Sequence, residues 1–271
     1  MAYAFAASIA TYIHMAHLSS KRFSTQMLAQ EYAQRIQERL QTALVSTHVL
    51  ASVVRQSNGQ LRNFNDVATD LLSLFPSVSA LQLAPDGVIR EVYPLEGNQA
   101  AIGHDLLSDS KRNREAVAAI TTRQLTLAGP FNLIQGGVGA VGRMPVFLVD
   151  ERGDSNFWGF AIALIRIPHL LESAGLDGLA RSGYRYELWR THPDTEQKHV
   201  FASSGAVPED PAEYVVTIFN GRWILSISPA AGWITMPDYI EIFGIGLIGA
   251  LIITGFQYLA LRILLRGVHR F

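Results

Sequence analysis

Ile242 to Leu261 reads IFGIGLIGALIITGFQYLAL, 20 residues without one charge. At about 1.5 Å of rise per residue such a helix covers roughly 30 Å, the thickness of a bilayer's hydrocarbon core. Arg262, Arg266, His269 and Arg270 follow it. Lys and Arg gather on the cytoplasmic side of membrane spans. The stretch is therefore read as a transmembrane helix over 238–263 with a cytoplasmic tail over 264–271. Everything between the membrane segments then lies outside the cytoplasm.

The other end points the same way. Met1 to Ser20 holds no Lys, Arg, Asp or Glu, although Ser8, Thr11, His14 and His17 dilute its apolarity. It lacks the basic start of a cleaved signal peptide. Residues 1–20 are read as a first transmembrane helix trimmed at its N-terminus, with an uncleaved signal anchor as the alternative. The chain has 271 residues and a formal net charge of −1, with a mean hydropathy of +0.17. A balance this close to zero gives no electrostatic case for nucleic acid. With no cysteine, disulfides, thiolate metal sites and thiol catalysis are excluded.

Residues 21–57 read as one long stalk helix. Pro and Gly are absent from Lys21 to Gln56, and Leu28, Tyr32, Ile36, Leu40 and Leu44 recur every four residues on one face. Asn58-Gly59 stops it. A second helix is expected over Asn63 to Phe75, capped by Asn63 or Asn65. From Pro76 the period changes to two. Val78 to Leu83 and Val88 to Tyr93 flank the turn Pro85-Asp86-Gly87. A helix is expected over Ser108 to Thr122. Strands follow at Gln124 to Leu127, Val138 to Leu148 and Phe157 to Arg166, then a short helix over His169 to Ser173. A smaller strand-rich unit begins at Gly183, with Tyr184 to Arg190 and His199 to Ala202. Its last pair, Glu213 to Phe219 and Arg222 to Ser228, is joined by Asn220-Gly221, a strong hairpin signal. The class is α+β: a stalk helix and two antiparallel sheets, divided as 58–175 and 176–237, flanked by transmembrane helices.

This layout resembles the CHASE domain family, extracellular sensory modules of bacterial, plant and slime-mould receptor kinases and cyclases. The residues that carry the resemblance run from Phe75 to about Ser204. They include FPSVSALQLAPDGVIREVYPLEGN from Phe75, IGHDLL from Ile102, LAGPFNLIQGGVGAVGRMPVF from Leu127, WGFAIALIRIPHLLE from Trp158 and GYRYELW from Gly183. The resemblance implies two PAS-like sheets in tandem, the membrane-distal one holding a small-molecule ligand. The protein is expected in a bacterial inner membrane with a periplasmic head, as a homodimer. The cytoplasmic effector would be a histidine kinase, a diguanylate cyclase or a phosphodiesterase.

Three pocket positions carry over from the cytokinin receptors of that family. The carboxylate that grips the purine there falls on Arg112, a backbone contact on Ile134, and a pocket threonine on Arg143. Two polar positions have become arginine. Guanidinium groups bind carboxylate and phosphate through paired hydrogen bonds, so an anionic ligand is expected in place of a purine. Phe131, Tyr93 and Phe147 are expected to form an aromatic wall. Gln82, alternating with apolar neighbours, is expected to face inward with an amide that a ligand could satisfy.

The remaining motifs are weaker. Gly137 to Gly142 matches G-x-G-x-x-G, but Arg143-Met144-Pro145-Val146-Phe147 after it reads as a strand and not as the helix a dinucleotide needs. His192, Asp194, Glu196 and His199 have metal-ligand chemistry in what reads as a solvated turn, and His104-Asp105 alone makes no site. No Ser/His/Asp set or carboxylate pair has catalytic spacing, so neither enzyme activity nor a cofactor is expected. Gly246 and Ala250 form a small-xxx-small pair, which with the stalk supports dimerisation through both helices. A membrane-anchored enzyme and a ligand-independent scaffold are the alternatives.

Overall fold

The computed structural model describes residues 2–108, 113–192, 195–205 and 209–268. Helix α1 runs from Ala2 to Gln56, as the absence of Pro and Gly allows. It ends where Asn58 and Gly59 adopt left-handed backbone, at φ 50° and 79°. Gly59 is required twice over, because a Cβ there would also lie 2.4 Å from Trp158 Nε1. Ala29, Ala33, Ile36, Leu40, Leu44 and Leu50 form its buried stripe. Helix α2, Phe64–Leu74, follows. Asn63 stands at its N-cap without a capping side-chain bond.

The first sheet comprises β1 (Ala80–Pro85), β2 (Glu91–Tyr93), β3 (Thr126–Asn132), β4 (Val138–Val149) and β5 (Ser155–Arg166). Its order is β2-β1-β5-β4-β3 and its pairings are antiparallel. One face carries Leu81, Leu83, Ala161, Ala163 and Ala140 into a core shared with α1. Contact there is close: a Cβ on Gly142 would fall 2.1 Å from Leu44 Cδ2. The opposite face carries Ala80, Phe160, Ile162 and Leu164, covered by Leu106 and by Ala116 and Ala119 of α3 (Arg114–Thr122).

Helix α3 starts six residues later than its sequence suggests. Asp105 Oδ1 accepts from the N–H groups of Leu107 (2.8 Å) and Ser108 (3.2 Å), which holds 105–108 as a turn. Helices α4 (Ile167–Ser173) and α5 (Leu176–Arg181) lead to the second sheet. The six-residue α5 carries no periodic signal long enough to be read in advance.

The second sheet contains β6 (Tyr184–Thr191), β7 (Lys198–Ser203), β8 (Ala212–Ile218) and β9 (Gly221–Pro229), in the order β7-β6-β9-β8. Leu188, Val216, Trp223, Leu225 and Ile227 join the core that includes α1. Asn220, at the β8–β9 turn, locks this sheet to the first. Its Oδ1 accepts from Leu127 N–H at 2.8 Å and its Nδ2 donates to Leu127 O at 3.0 Å.

Helix α6 spans Met236–Val268. Among the described residues, Met236–Ile263 is the one helical stretch long and apolar enough to cross a membrane. The expected first span over 1–20 does not reach that mark. From Ala2 onward the segment is helical, but its serines, threonine and two histidines dilute it. It forms one helix with the stalk as part of α1 and packs on α6, where a Cβ on Gly246 would sit 3.7 Å from Ala10 Cβ. Lys21 Nζ donates to Trp233 O at 3.1 Å and pairs with Asp238 at 3.7 Å just above that contact.

Two measurements test this packing. Gly142→Ala should destabilise the protein by about 1–3 kcal/mol in chemical denaturation, because its methyl group must displace Leu44. In a Leu44→Ala background, itself costing about 2–5 kcal/mol, the glycine substitution should cost far less. Additive costs would show that the two residues do not meet. Burial, then Arg190 and His192, hold the His199 imidazole below its ordinary value of 6.5. A depressed base binds its proton more readily unfolded. Its contribution is present above 6.5 and lost as pH falls through the folded value. Protection of the β7 amides, taken relative to their intrinsic exchange rates at each pH, should fall on going from about pH 7.5 to about pH 5, and His199→Gln should abolish that fall.

Candidate ligand site

Register places a row of five residues on the face of the first sheet turned away from α1. Val92 pairs with Gln82, Gln82 with Ile162, Ile162 with Arg143 and Arg143 with Thr126. Directly opposed residues share a face. Gln82 and Arg143 thus flank Ile162, roughly 10 Å apart at two strand spacings. Both are buried, at 4% and 3% exposure. A guanidinium is rarely buried without charged or hydrogen-bonding company, since desolvating it costs several kcal/mol.

These two side chains, with Val141 and Leu164, floor a cavity of ≈ 40 Å³. Its side wall is the β3–β4 hairpin, through Phe131, Leu133, Ile134 and Gln135. Its roof is Ile89 with Ala101, His104 and Leu106 from the segment between β2 and α3. That segment is tied to the β1–β2 connection by main-chain bonds: Ile89 N–H to His104 O (3.0 Å), Gly103 N–H to Ile89 O (2.8 Å) and Leu106 N–H to Gly87 O (2.9 Å). Leu107 packs where a Cβ of Gly87 would be, 2.7 Å away, and Gly87 has φ +82°. The hydrogen bonds from Leu107 and Ser108 hold the Asp105 carboxyl below its usual range. At about 10–15 Å³ per water, the cavity holds about three or four waters. Anything larger must lift the roof or turn the Gln82 and Arg143 side chains.

Of the seven residues expected from sequence, four come together here: Gln82, Phe131, Ile134 and Arg143. Ile134 stands at the mouth, 48% exposed. Tyr93 does not join them. It pairs with Leu81 and packs into the core on the α1 side. Phe147 shares the Arg143 face but lies four residues along the strand. There it meets Phe157 edge-on at 5.7 Å, with the Arg123 guanidinium 4.2 Å above its ring. Arg112 lies outside the described residues. Gln135 and His104 are polar wall residues that sequence reasoning did not select. The glycine run forms β4 and its approach, and Gly142 serves contact with α1. Among the described residues no group of three or more His, Cys, Asp or Glu gathers to hold a metal.

A guanidinium, two carboxamides and an imidazole around an apolar floor can orient a small polar molecule. Carboxylate and phosphate oxygens are the complement of the fork that arginine presents.

The fold recurs in extracellular sensory domains. An extracellular ligand binding receptor from Desulfohalobium retbaense superposes with a TM-score of 0.60 at 15% identity, covering 76% of this chain and 40% of that one. This chain therefore spans well under half of that receptor. The sensory domain of the Campylobacter jejuni chemoreceptor Tlp3 gives 0.55 at 10% identity, with 81% and 98% covered. The ligand binding domain of the Pseudomonas aeruginosa PAO1 amino acid chemoreceptor PctC, solved with GABA, gives 0.54 at 15% identity, with 77% and 98% covered. None of the curated proteins matches the chain in sequence. The CHASE domain family model matches residues 15–201, more than half of the chain, which accordingly belongs to the CHASE domain family of extracellular sensory modules.

Proposed function

We propose that this chain is the input module of a transmembrane receptor and that it binds a small anionic molecule under the roof of the first sheet. The observation that carries the reading is the Arg143 guanidinium, buried on the sheet face that is covered by a loop segment and not by α1. In this reading 58–175 is the membrane-distal, ligand-binding unit, 176–237 the membrane-proximal one, and α6 the span that leads to a cytoplasmic effector, a histidine kinase or a diguanylate cyclase or phosphodiesterase. Two copies associate through the stalk and α6. The amino acid chemoreceptor solved with GABA supports a carboxylate-bearing ligand as the first class to try.

Signalling then follows from packing. Roof and ligand load one face of the first sheet, and α1 is packed on the other. Closure of the roof shifts the sheet on α1, and α1 continues past the second sheet to α6. A ligand moves that equilibrium only by its differential affinity for the open and closed states.

The full chain in detergent should be titrated by calorimetry and thermal shift with GABA, other amino acids, dicarboxylates and phosphate esters, beside neutral purines. A ligand at about 100 times its Kd should add roughly 2.7 kcal/mol of stability. Arg143→Gln should weaken binding about tenfold to a hundredfold while leaving the ligand-free protein folded. Binding of neutral purines alone, or equal affinity in the Arg143→Gln variant, would overturn the reading. Topology is tested separately, since the chain has no cysteine. Ser73→Cys should react with an impermeant maleimide in intact cells, and reaction only after lysis would place the head inside.

A further inference from the structure

The roof of the cavity holds its own shape. The main-chain bonds that join 87–89 to 103–106 run within it, and Val88 and Asp105 add an antiparallel bridge. The chain enters it from β2, an edge strand of three residues. The hairpin that forms the side wall is braced on the sheet instead. Arg166 Nη1, at the end of β5, donates to Gly136 O at 2.9 Å. Leu133 N–H donates to Gly137 O at 2.9 Å, and Leu133 sits on Gly139, where a Cβ would lie 2.7 Å from its Cδ1.

Asn98 reaches from one to the other. It precedes the 3₁₀ turn Gln99–Ala101 in the roof segment, the position at which an asparagine ordinarily caps a helix with its side-chain oxygen. It makes no capping bond there. Its Nδ2 donates back to Pro94 O at 2.9 Å and to Glu96 O at 3.4 Å. This holds Oδ1 toward the hairpin, where it accepts from Gln135 Nε2 at 3.4 Å. Asn98 is buried, so with the mouth shut an acceptor released from this bond has little water to turn to. With the roof lifted, water replaces Gln135, and the difference is that of one neutral hydrogen bond. The bond is long, as befits a contact that opens and re-forms.

We propose that the Asn98–Gln135 hydrogen bond is the clasp of the ligand site. Through it the roof closes on the wall, and its strength sets how often the cavity opens to solvent. This rests on the reading of the cavity as a ligand site. Gln135 lines that cavity as well as holding the clasp, so the residue that shuts the mouth also borders whatever occupies it. Loss of its amide donor raises the open fraction by roughly two- to tenfold, the weight of one such bond.

The test needs no ligand. In a chain without cysteine, Val141→Cys and Leu164→Cys each place one thiol on the cavity floor. Ala163→Cys places one in the core on the α1 face. Methyl methanethiosulfonate is the probe, applied to the full chain in detergent. Gln135→Met keeps the length of the side chain and removes its donor. It should speed modification at 141 and 164 by roughly two- to tenfold and leave the rate at 163 unchanged. Unmoved rates at 141 and 164 would overturn the clasp. So would an equal rise at all three positions, which marks a general loss of stability. Failure of every anion to bind would defeat the ligand reading and leave these rates as they are, whereas unmoved rates beside intact Arg143-dependent binding would defeat the clasp alone.

Discussion

The close seating of α1 on the first sheet is the contact from which the rest of the architecture follows. Leu44 occupies the space that any side chain at position 142 would need, and both residues lie in a continuous apolar layer running from Ala29 to Val54. A packed interior of this kind does not deform gradually. That face of the sheet is closed to ligand. The opposite face is covered by α3 and by a loop between β2 and α3 that is held by a few main-chain hydrogen bonds. In the proposed reading, stability and recognition are divided between the two faces of one sheet, and the parity of the strands decides which residue serves which.

The same helix links units that touch each other little otherwise. The first sheet, the second sheet and α6 each pack on α1. The two sheets meet directly through Asn220 and Leu127. A change in how the first sheet sits on α1 therefore has two physical routes to the second sheet, one through the helix and one through that junction. The first is apolar and extensive. The second is polar and small.

Much of this was legible in the sequence, and what was not has identifiable causes. Alternation exposed the strands of both sheets, and Asn220-Gly221 marked the β8–β9 turn because the dipeptide suits a two-residue hairpin. Gln82 and Arg143 stood out as polar residues within apolar strands. Tyr93 was misassigned because its face relative to Arg143 depends on register through three intervening strand pairings, and a one-residue slip reverses it. His104 and Gln135 lie in segments with no period, so nothing in their neighbours announces an inward side chain. Asn98 and Gln135 stand 37 positions apart in the chain, and only the tertiary fold brings them together.

Burial of Arg143 is the least comfortable feature of the first sheet and the most informative. A hydrophobic residue at that position would complete the floor made by Val141, Leu164 and Ile162 without a desolvation cost. Keeping a guanidinium there places a charged group beside the amides of Gln82 and Gln135, which line the same cavity. In the proposed reading, an anion entering the cavity would meet this guanidinium in a low dielectric, where their attraction is strong and must exceed the cost of desolvating the anion. The small cavity fits that reading: its volume of ≈ 40 Å³ leaves room for a few waters, so a larger ligand would have to displace the roof on entry before the roof could close over it.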